Sequence, residues 1–284
     1  MNTTMNLVLQ GPQADPATLA RLAQLASPQR TTALGAHALR CEGVVFSTDL
    51  KERIDAAAFE AGVDATFIAP GRSLADVRLV AMDMDSTLIT IECIDEIADM
   101  QGLKPQVSEI TEAAMRGELD FSESLRRRVA LLAGLDARAL QRVYDERLRI
   151  SPGGEAMLKA VQAAGIRTLL VSGGFTFFTE RLGARLGLDY THANVLEIAD
   201  GKLTGRVIGG IVDAEEKKRT VERVCAELGI APSQAVVMGD GANDLSMMSI
   251  AGLSVAFRAK PVVRAQADVA LNFSGLDGLL TILA

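Results

Sequence analysis

The 284-residue chain has only two histidines, His37 and His192, and neither stands in HExxH or another ligand spacing. A histidine-based metal centre is therefore not expected. Its three cysteines, Cys41, Cys93 and Cys225, lie far apart and include no CxxC pair. That odd, scattered set does not describe a disulfide framework and fits reduced, buried thiols in a cytoplasmic protein. No apolar run reaches the ~18 residues of a membrane span. The first residues, MNTTMNLVLQGPQAD, lack the basic and long apolar regions of a secretory signal. A basic stripe is missing as well. The net charge is −7 and the sequence pI about 5.0, which argues against nucleic acid as a partner. Repeats, low-complexity tracts and long linkers are also missing.

Apolar residues make up 49% of the chain, enough for a real core. Residues 1–76 read as a small α/β unit of strand-helix-strand type, without a catalytic constellation. From residue 77 the pattern changes. Short apolar runs alternate with helical segments: VRLVAMDMD, RTLLVSGG (167–174), AVVMGDG (235–241), LSVAF (253–257) and DVALNF (268–273). Such runs predict an α/β fold with a doubly wound parallel sheet, covered on both faces. The helices expected between them, 153–165, 175–187 and 214–229, each close on glycine. Residues 192–210 read as a hairpin turning at Asp200-Gly201. Residues 92–150 are helical, charged and poor in strand signals. An ordinary crossover needs only about a dozen residues, so this segment predicts a small helical cap inserted after the first core strand.

Ligands in open parallel sheets bind beyond the carboxyl ends of the strands. Three of the runs carry polar groups there: Asp83 and Asp85; Ser172 with Gly173 and Gly174; Asp240 with Gly241, Asn243 and Asp244. Four carboxylates on one rim need a cation, and hard oxygen ligands point to Mg²⁺. In extended backbone, residues two apart face one side, so Asp83 and Asp85 can reach one site. One carboxylate can attack phosphorus while the other carries a proton. Ser172, the Gly173 amide, Ser86 and Thr87 are candidate donors to a phosphoryl group, and Lys217 is the candidate cation.

DMDST (83–87), SGG (172–174), Lys217 and GDGAND (239–244) resemble, in order, the four motifs of haloacid dehalogenase superfamily phosphatases. The cap adds Glu92 and MRGELDFSESLRRRV (115–129), which is similar to the substrate-gripping segment of the members acting on O-phosphoserine. The resemblance covers residues 77–284. It implies a Rossmann-like core and a Mg²⁺-dependent hydrolysis of phosphoserine to serine and phosphate through a phospho-aspartyl intermediate, the last step of serine synthesis. Asp83 would be the nucleophile and Asp85 the general acid and base. Asp83, the Asp85 carbonyl and Asp240 would hold the metal, with Asp244 supporting its shell. Ser172 and Lys217 would hold the phosphoryl group, with Asn243 beside it. Glu92 would take the substrate ammonium and Arg128 its carboxylate, while Met115, Phe121 and Gly173 close over the substrate. Arg126 and Arg127 would face solvent. Transfer of the phosphate to another alcohol such as homoserine, or hydrolysis of other small phosphate esters, remain the alternatives. Residues 1–76 are similar to the small amino-acid-binding, ACT-like domains that precede some relatives; a packing or homodimer-forming module is the other reading.

Overall fold

A computed structural model describes residues 3–115 and 118–284 of the chain. The first elements alternate as β1 (Thr4–Gln10), α1 (Pro16–Ala26), β2 (Arg30–Ala33), β3 (Ala38–Val45), α2 (Thr48–Glu60) and β4 (Asp64–Ile68). The four strands form an antiparallel sheet in the order β2-β3-β1-β4, the ferredoxin-like layout. Helix α1 starts where Asp15 accepts a hydrogen bond from Thr18 N at 2.8 Å and Pro16 fills the first turn. Its apolar stripe, Leu19, Leu22, Ala23 and Ala26, is buried together with Leu7 and Leu9 of β1 and Ile54 of α2.

The chain continues through β5 (Leu79–Met82) and four helices, α3 (Cys93–Asp99), α4 (Lys104–Met115), α5 (Phe121–Ala130) and α6 (Arg138–Arg142). Then follow α7 (Gly154–Ala163), β6 (Arg167–Phe175), α8 (Thr176–Leu186), β7 (Tyr190–Ala199), β8 (Lys202–Ile208), α9 (Ala214–Leu228), β9 (Ala235–Gly239), β10 (Leu253–Phe257) and β11 (Val269–Leu271). The second sheet has the order β11-β10-β9-β5-β6-β7-β8. It is mostly parallel, with β7 and β8 antiparallel at one edge. Residues 79–82 are wholly buried, as expected of a strand covered on both faces. The α/β fold with its parallel sheet is thus the one that the apolar runs predict. The β7–β8 turn is Asp200-Gly201, both at positive φ, 49° and 74°, the pairing that suits a two-residue hairpin.

By its internal contacts the chain divides into two compact units. One joins residues 1–80, 152–167 and 230–284; the other joins 81–151 and 168–229. In the first, Asp64 of β4 is buried, and its carboxylate accepts hydrogen bonds from the amides of Asn272, Phe273 and Ser274 at 2.7–3.3 Å. In the second, Ile97, Leu125, Val129 and Leu140 of the helical segment are buried, as are Val171 and Phe175 of β6. Among the described residues no helix is long and apolar enough to cross a membrane.

Candidate active site

Strand β5 ends at Met82, and Asp83 leaves it in extended backbone (φ −70°, ψ 163°). Residues 84–88 then form one wide turn, in which the amides of Leu88 and Ile89 reach back to the carbonyls of Asp83 and Met84. Asp85 breaks the turn with ψ 135° and Ser86 adopts a left-handed φ of 54°. The two aspartates are therefore arranged by an irregular turn, and the simple alternation of an extended strand does not continue past Met82. A serine in the left-handed region is uncommon and costs roughly 1 kcal/mol, which surrounding contacts must offset. One such contact is visible: the Ser86 amide donates to Ile91 O at 3.2 Å.

Asp83 is 5% exposed, and Lys217 Nζ lies 2.8 Å from its Oδ1. Lys217 itself is fully buried. It belongs to the apolar face of α9, with Thr220, Val221, Val224 and Cys225, at helical spacing. Its neighbour Arg219 is exposed, so the charge run EEKKR divides between one buried cation and a solvated face. Helix α9 begins where Asp213 accepts from Glu216 N at 2.9 Å. A buried ammonium is costly unless paired, and the Asp83 carboxylate offsets that cost.

Asp85 points elsewhere. Its Oδ1 accepts from Cys93 N, the first amide of α3, at 3.1 Å. Burial, with the nearby charge of Glu92 second, pushes its carboxyl up to about 7, against the pull of the Cys93 hydrogen bond and of Lys217. A carboxyl so raised can carry a proton near neutral pH. Gly174 makes room for it: a Cβ there would stand 2.7 Å from Asp85 Oδ2, 3.0 Å from Met84 Cε and 3.1 Å from Ser172 Oγ. Ser172 is buried and its Oγ accepts from Gly174 N at 2.8 Å, which leaves the hydroxyl proton free to aim at another acceptor.

The cap brings a second set of charges into the same unit. Glu92 is exposed and accepts from the Ser86 hydroxyl at 2.6 Å. Arg128 is half-buried; burial lowers its affinity for the proton, against the charges of Asp95, Glu92 and Asp85. Arg126 and Arg127 are exposed, and Arg127 pairs with Glu123 at 2.7 Å. Phe121 opens α5, and its Cζ lies 2.8 Å from where a Cβ on Gly173 would stand. Only glycine lets that ring approach the β6 end so closely. Met115 closes α4, and its side chain lies outside the described residues.

The GDGAND loop follows β9. Asp244 is fully buried, and its Oδ2 accepts from the amides of Asp240 and Gly241 at 3.1 and 3.0 Å, folding the GDGAND loop onto itself. Asp240 and Asn243 are half-buried. Among the described residues Asp83, Asp240 and Asp244 make one group whose ligand oxygens lie within 4.8 Å of one another, a set that could hold a metal ion. Three carboxylates without nitrogen or sulfur suit a hard cation.

Sequence reasoning missed two residues around this site, Asp95 and Asn194, and gave Gly174 of the SGG motif no role of its own. Gly174 carries the close approach of Asp85, Asp95 flanks Arg128, and Asn194 binds the Gly173 carbonyl through its Nδ2 at 2.8 Å. Asp95 stands three residues after Glu92, on a neighbouring helical position, a spacing that could have drawn attention. Asn194 is a polar residue within the strand-like run HANVLEIA, and a polar side chain at an inward position of such a run is the signal that could have found it.

The chain matches the haloacid dehalogenase-like hydrolase family over residues 80–249. It is 55% identical to a phosphoserine phosphatase of a Polaromonas species over 227 residues, which cover 78% of this chain and 96% of that one. A crystal structure of a probable phosphoserine phosphatase from Vibrio cholerae aligns with a TM-score of 0.82 at 37% identity, covering 98% of this chain and 86% of that one. A structure of a phospho-aspartyl intermediate analogue of phosphoserine phosphatase aligns with a TM-score of 0.69 at 38% identity, covering 73% of this chain and 99% of that one. With the motif order, the parallel sheet and the strand-end carboxylates, these likenesses lead to one conclusion: the chain belongs to the haloacid dehalogenase-like hydrolase family, among relatives that are phosphoserine phosphatases.

Proposed function

We propose that this enzyme is a phosphatase that hydrolyses O-phosphoserine to serine and phosphate. The observation that carries the reading is the pair of acids in unlike settings. Asp83 meets a buried ammonium, whereas Asp85 is turned aside, desolvated and raised to about 7. Asp83 attacks phosphorus as the P–O bond to serine breaks, and Asp85 gives the leaving oxygen its proton. A water molecule then attacks the aspartyl phosphate. Asp85 takes the proton of that water, and the Asp83 carboxylate is released with inorganic phosphate. The relative seen as a phospho-aspartyl analogue supports this route.

Asp83, the Asp85 carbonyl and Asp240 would hold Mg²⁺, with Asp244 supporting them. The ion would supply charge neutralisation for the phosphoryl oxygens. Ser172, the Gly173 amide and Lys217 bind and orient the phosphoryl group, and Asn243 stands beside it. Glu92 takes the substrate ammonium, and Arg128 takes its carboxylate in the two-pronged way open to a guanidinium. Phe121 covers the bound serine moiety and helps to exclude bulk water. Three buried free thiols accord with a cytoplasmic setting.

The test is a screen of phosphoserine, phosphothreonine and sugar phosphates with Mg²⁺ and with EDTA. Phosphoserine should give the highest kcat/KM, and chelation should abolish turnover. Equal activity on sugar phosphates would sink the substrate assignment. Arg128→Ala should raise KM for phosphoserine on the order of tenfold or more, and leave a phosphate ester without a carboxylate nearly unaffected.

A further inference from the structure

Asn194 lies on β7, is 1% exposed and does not belong to any of the four motifs. Both ends of its side chain are spent on backbone. Nδ2 donates to Gly173 O at 2.8 Å, and Oδ1 accepts from Val212 N at 2.8 Å. These two partners belong to the two segments proposed to hold the phosphoryl group. Gly173 follows Ser172 and supplies the loop amide. Val212 directly precedes Asp213, the cap of α9, and Lys217 N donates to Asp213 O at 2.9 Å in the first turn of that helix. One planar amide thus spans the interval between the SGG loop and the start of the Lys217 helix.

We infer that Asn194 is a positioning residue, a clip that sets the spacing between the Ser172-Gly173 donors and the Lys217 ammonium. The inference rests on the phosphatase reading of the site. A primary amide is the side chain suited to the task, because it presents one donor and one acceptor in a fixed plane. A carboxylate would keep the bond from Val212 and turn a repelling oxygen on the Gly173 carbonyl. The side chain touches no reacting atom, so its effect must pass through the loop and the helix. Misplacement of binding groups by about 1 Å can cost on the order of a hundredfold in rate.

The test compares Asn194→Asp and Asn194→Ala with the unaltered enzyme in Mg²⁺ buffer. It reads kcat and KM for phosphoserine, orthovanadate affinity by calorimetry, and Tm. Thr168→Val is the control. Thr168 is fully buried on β6 and hydrogen-bonds Asp189 at 3.0 Å, away from the loop. Both Asn194 variants should lose on the order of 10- to 100-fold in kcat and in orthovanadate affinity. Thr168→Val should lose Tm alone. The Asn194→Asp deficit should shrink on acidification relative to the unaltered enzyme, because a protonated carboxyl can again donate to Gly173 O. If Asn194→Ala does not fold, the near-isosteric Asn194→Asp decides. Variants that lose Tm as the control does, while keeping kcat and orthovanadate affinity, would overturn the clip. Orthovanadate binding needs no turnover. A chain that ignored phosphoserine would therefore overturn the substrate reading separately and still leave the clip to be judged on that affinity.

Discussion

Asp83 and Lys217 make a nearly dry ion pair, and Asp85, two residues on, is held away from it by the amide of Cys93. Replacing the proposed nucleophile should therefore end turnover, and the loss of its carboxylate from beside the buried Lys217 should lower Tm while the chain stays folded at low temperature. Asp83→Asn keeps the shape, and kcat should fall below detection while the circular dichroism spectrum stays unchanged. Residual turnover above a thousandth of the original rate would contradict the assigned role. The two glycines of SGG should separate cleanly. Gly174→Ala forces a methyl against the Asp85 carboxylate and the Met84 and Ser172 side chains, so kcat should drop steeply. Gly173→Ala meets the far end of the Phe121 ring, which can swing, so KM should rise and kcat should fall less. Steady-state kinetics on both variants checks the contrast. Much at this scale was legible in the chain, since DMDST, SGG, Lys217 and GDGAND each carry chemistry in their residue types. The left-handed Ser86 was not, because local preference disfavours that conformation and only the fixed ends of the turn impose it.

Helix α9 shows how an element turns a charge run into a site. EEKKR would usually be a solvated face, yet the period of 3.6 aligns Lys217 with Thr220, Val221 and Val224 and buries it. The start of the helix therefore matters to the chemistry. Asp213→Ala removes the cap bond to Glu216 N and should cost about 1 kcal/mol. Calorimetry should show a lowered Tm. Because Lys217 lies in the first turn, kcat should fall severalfold as well; an unchanged kcat would mean that the Asp83 contact alone holds the lysine. The α5 helix works similarly, with Asp120 accepting from Glu123 N at 2.7 Å and placing Phe121 at the first position. Glycine stops and apolar spacing make these helices readable in the sequence alone. What they meet across the cap was not readable, because spacing reports a buried face and not its partner.

The largest scale is governed by buried polar groups that join distant parts of the chain. Asp64 accepts from three consecutive amides more than 200 residues away, within one compact unit. Asp64→Ala would orphan those N–H groups and should lower stability by about 3 kcal/mol. Activity at low temperature should be retained, since none of the site residues is touched. A lost activity at unchanged Tm would refute that separation. Burial pushes the Asp64 carboxyl above its ordinary 3.8, with its backbone partners pulling it back. The folded state then binds that proton more tightly than the unfolded one. The contribution is full below the unfolded value and is lost as pH rises through the folded one. Asp64→Asn should flatten that part of the Tm–pH profile in acid. The order of motifs, the alternation of apolar runs with helices and the length of the cap insertion are properties of the chain in one dimension. Solvent exclusion and backbone periodicity turn them into a parallel sheet with carboxylates at its strand ends, so the fold class and the residue types of the proposed site were already written there. The partners of Asn194, Asp64 and Asp85 were not. Hydrophobic burial brings strands together without specifying direction, and the desolvation cost of each buried polar group then selects whichever backbone donor or acceptor lies within reach. Asn194 finds its two partners 21 and 18 residues away in the chain, and only the packed neighbours of β7 make them adjacent.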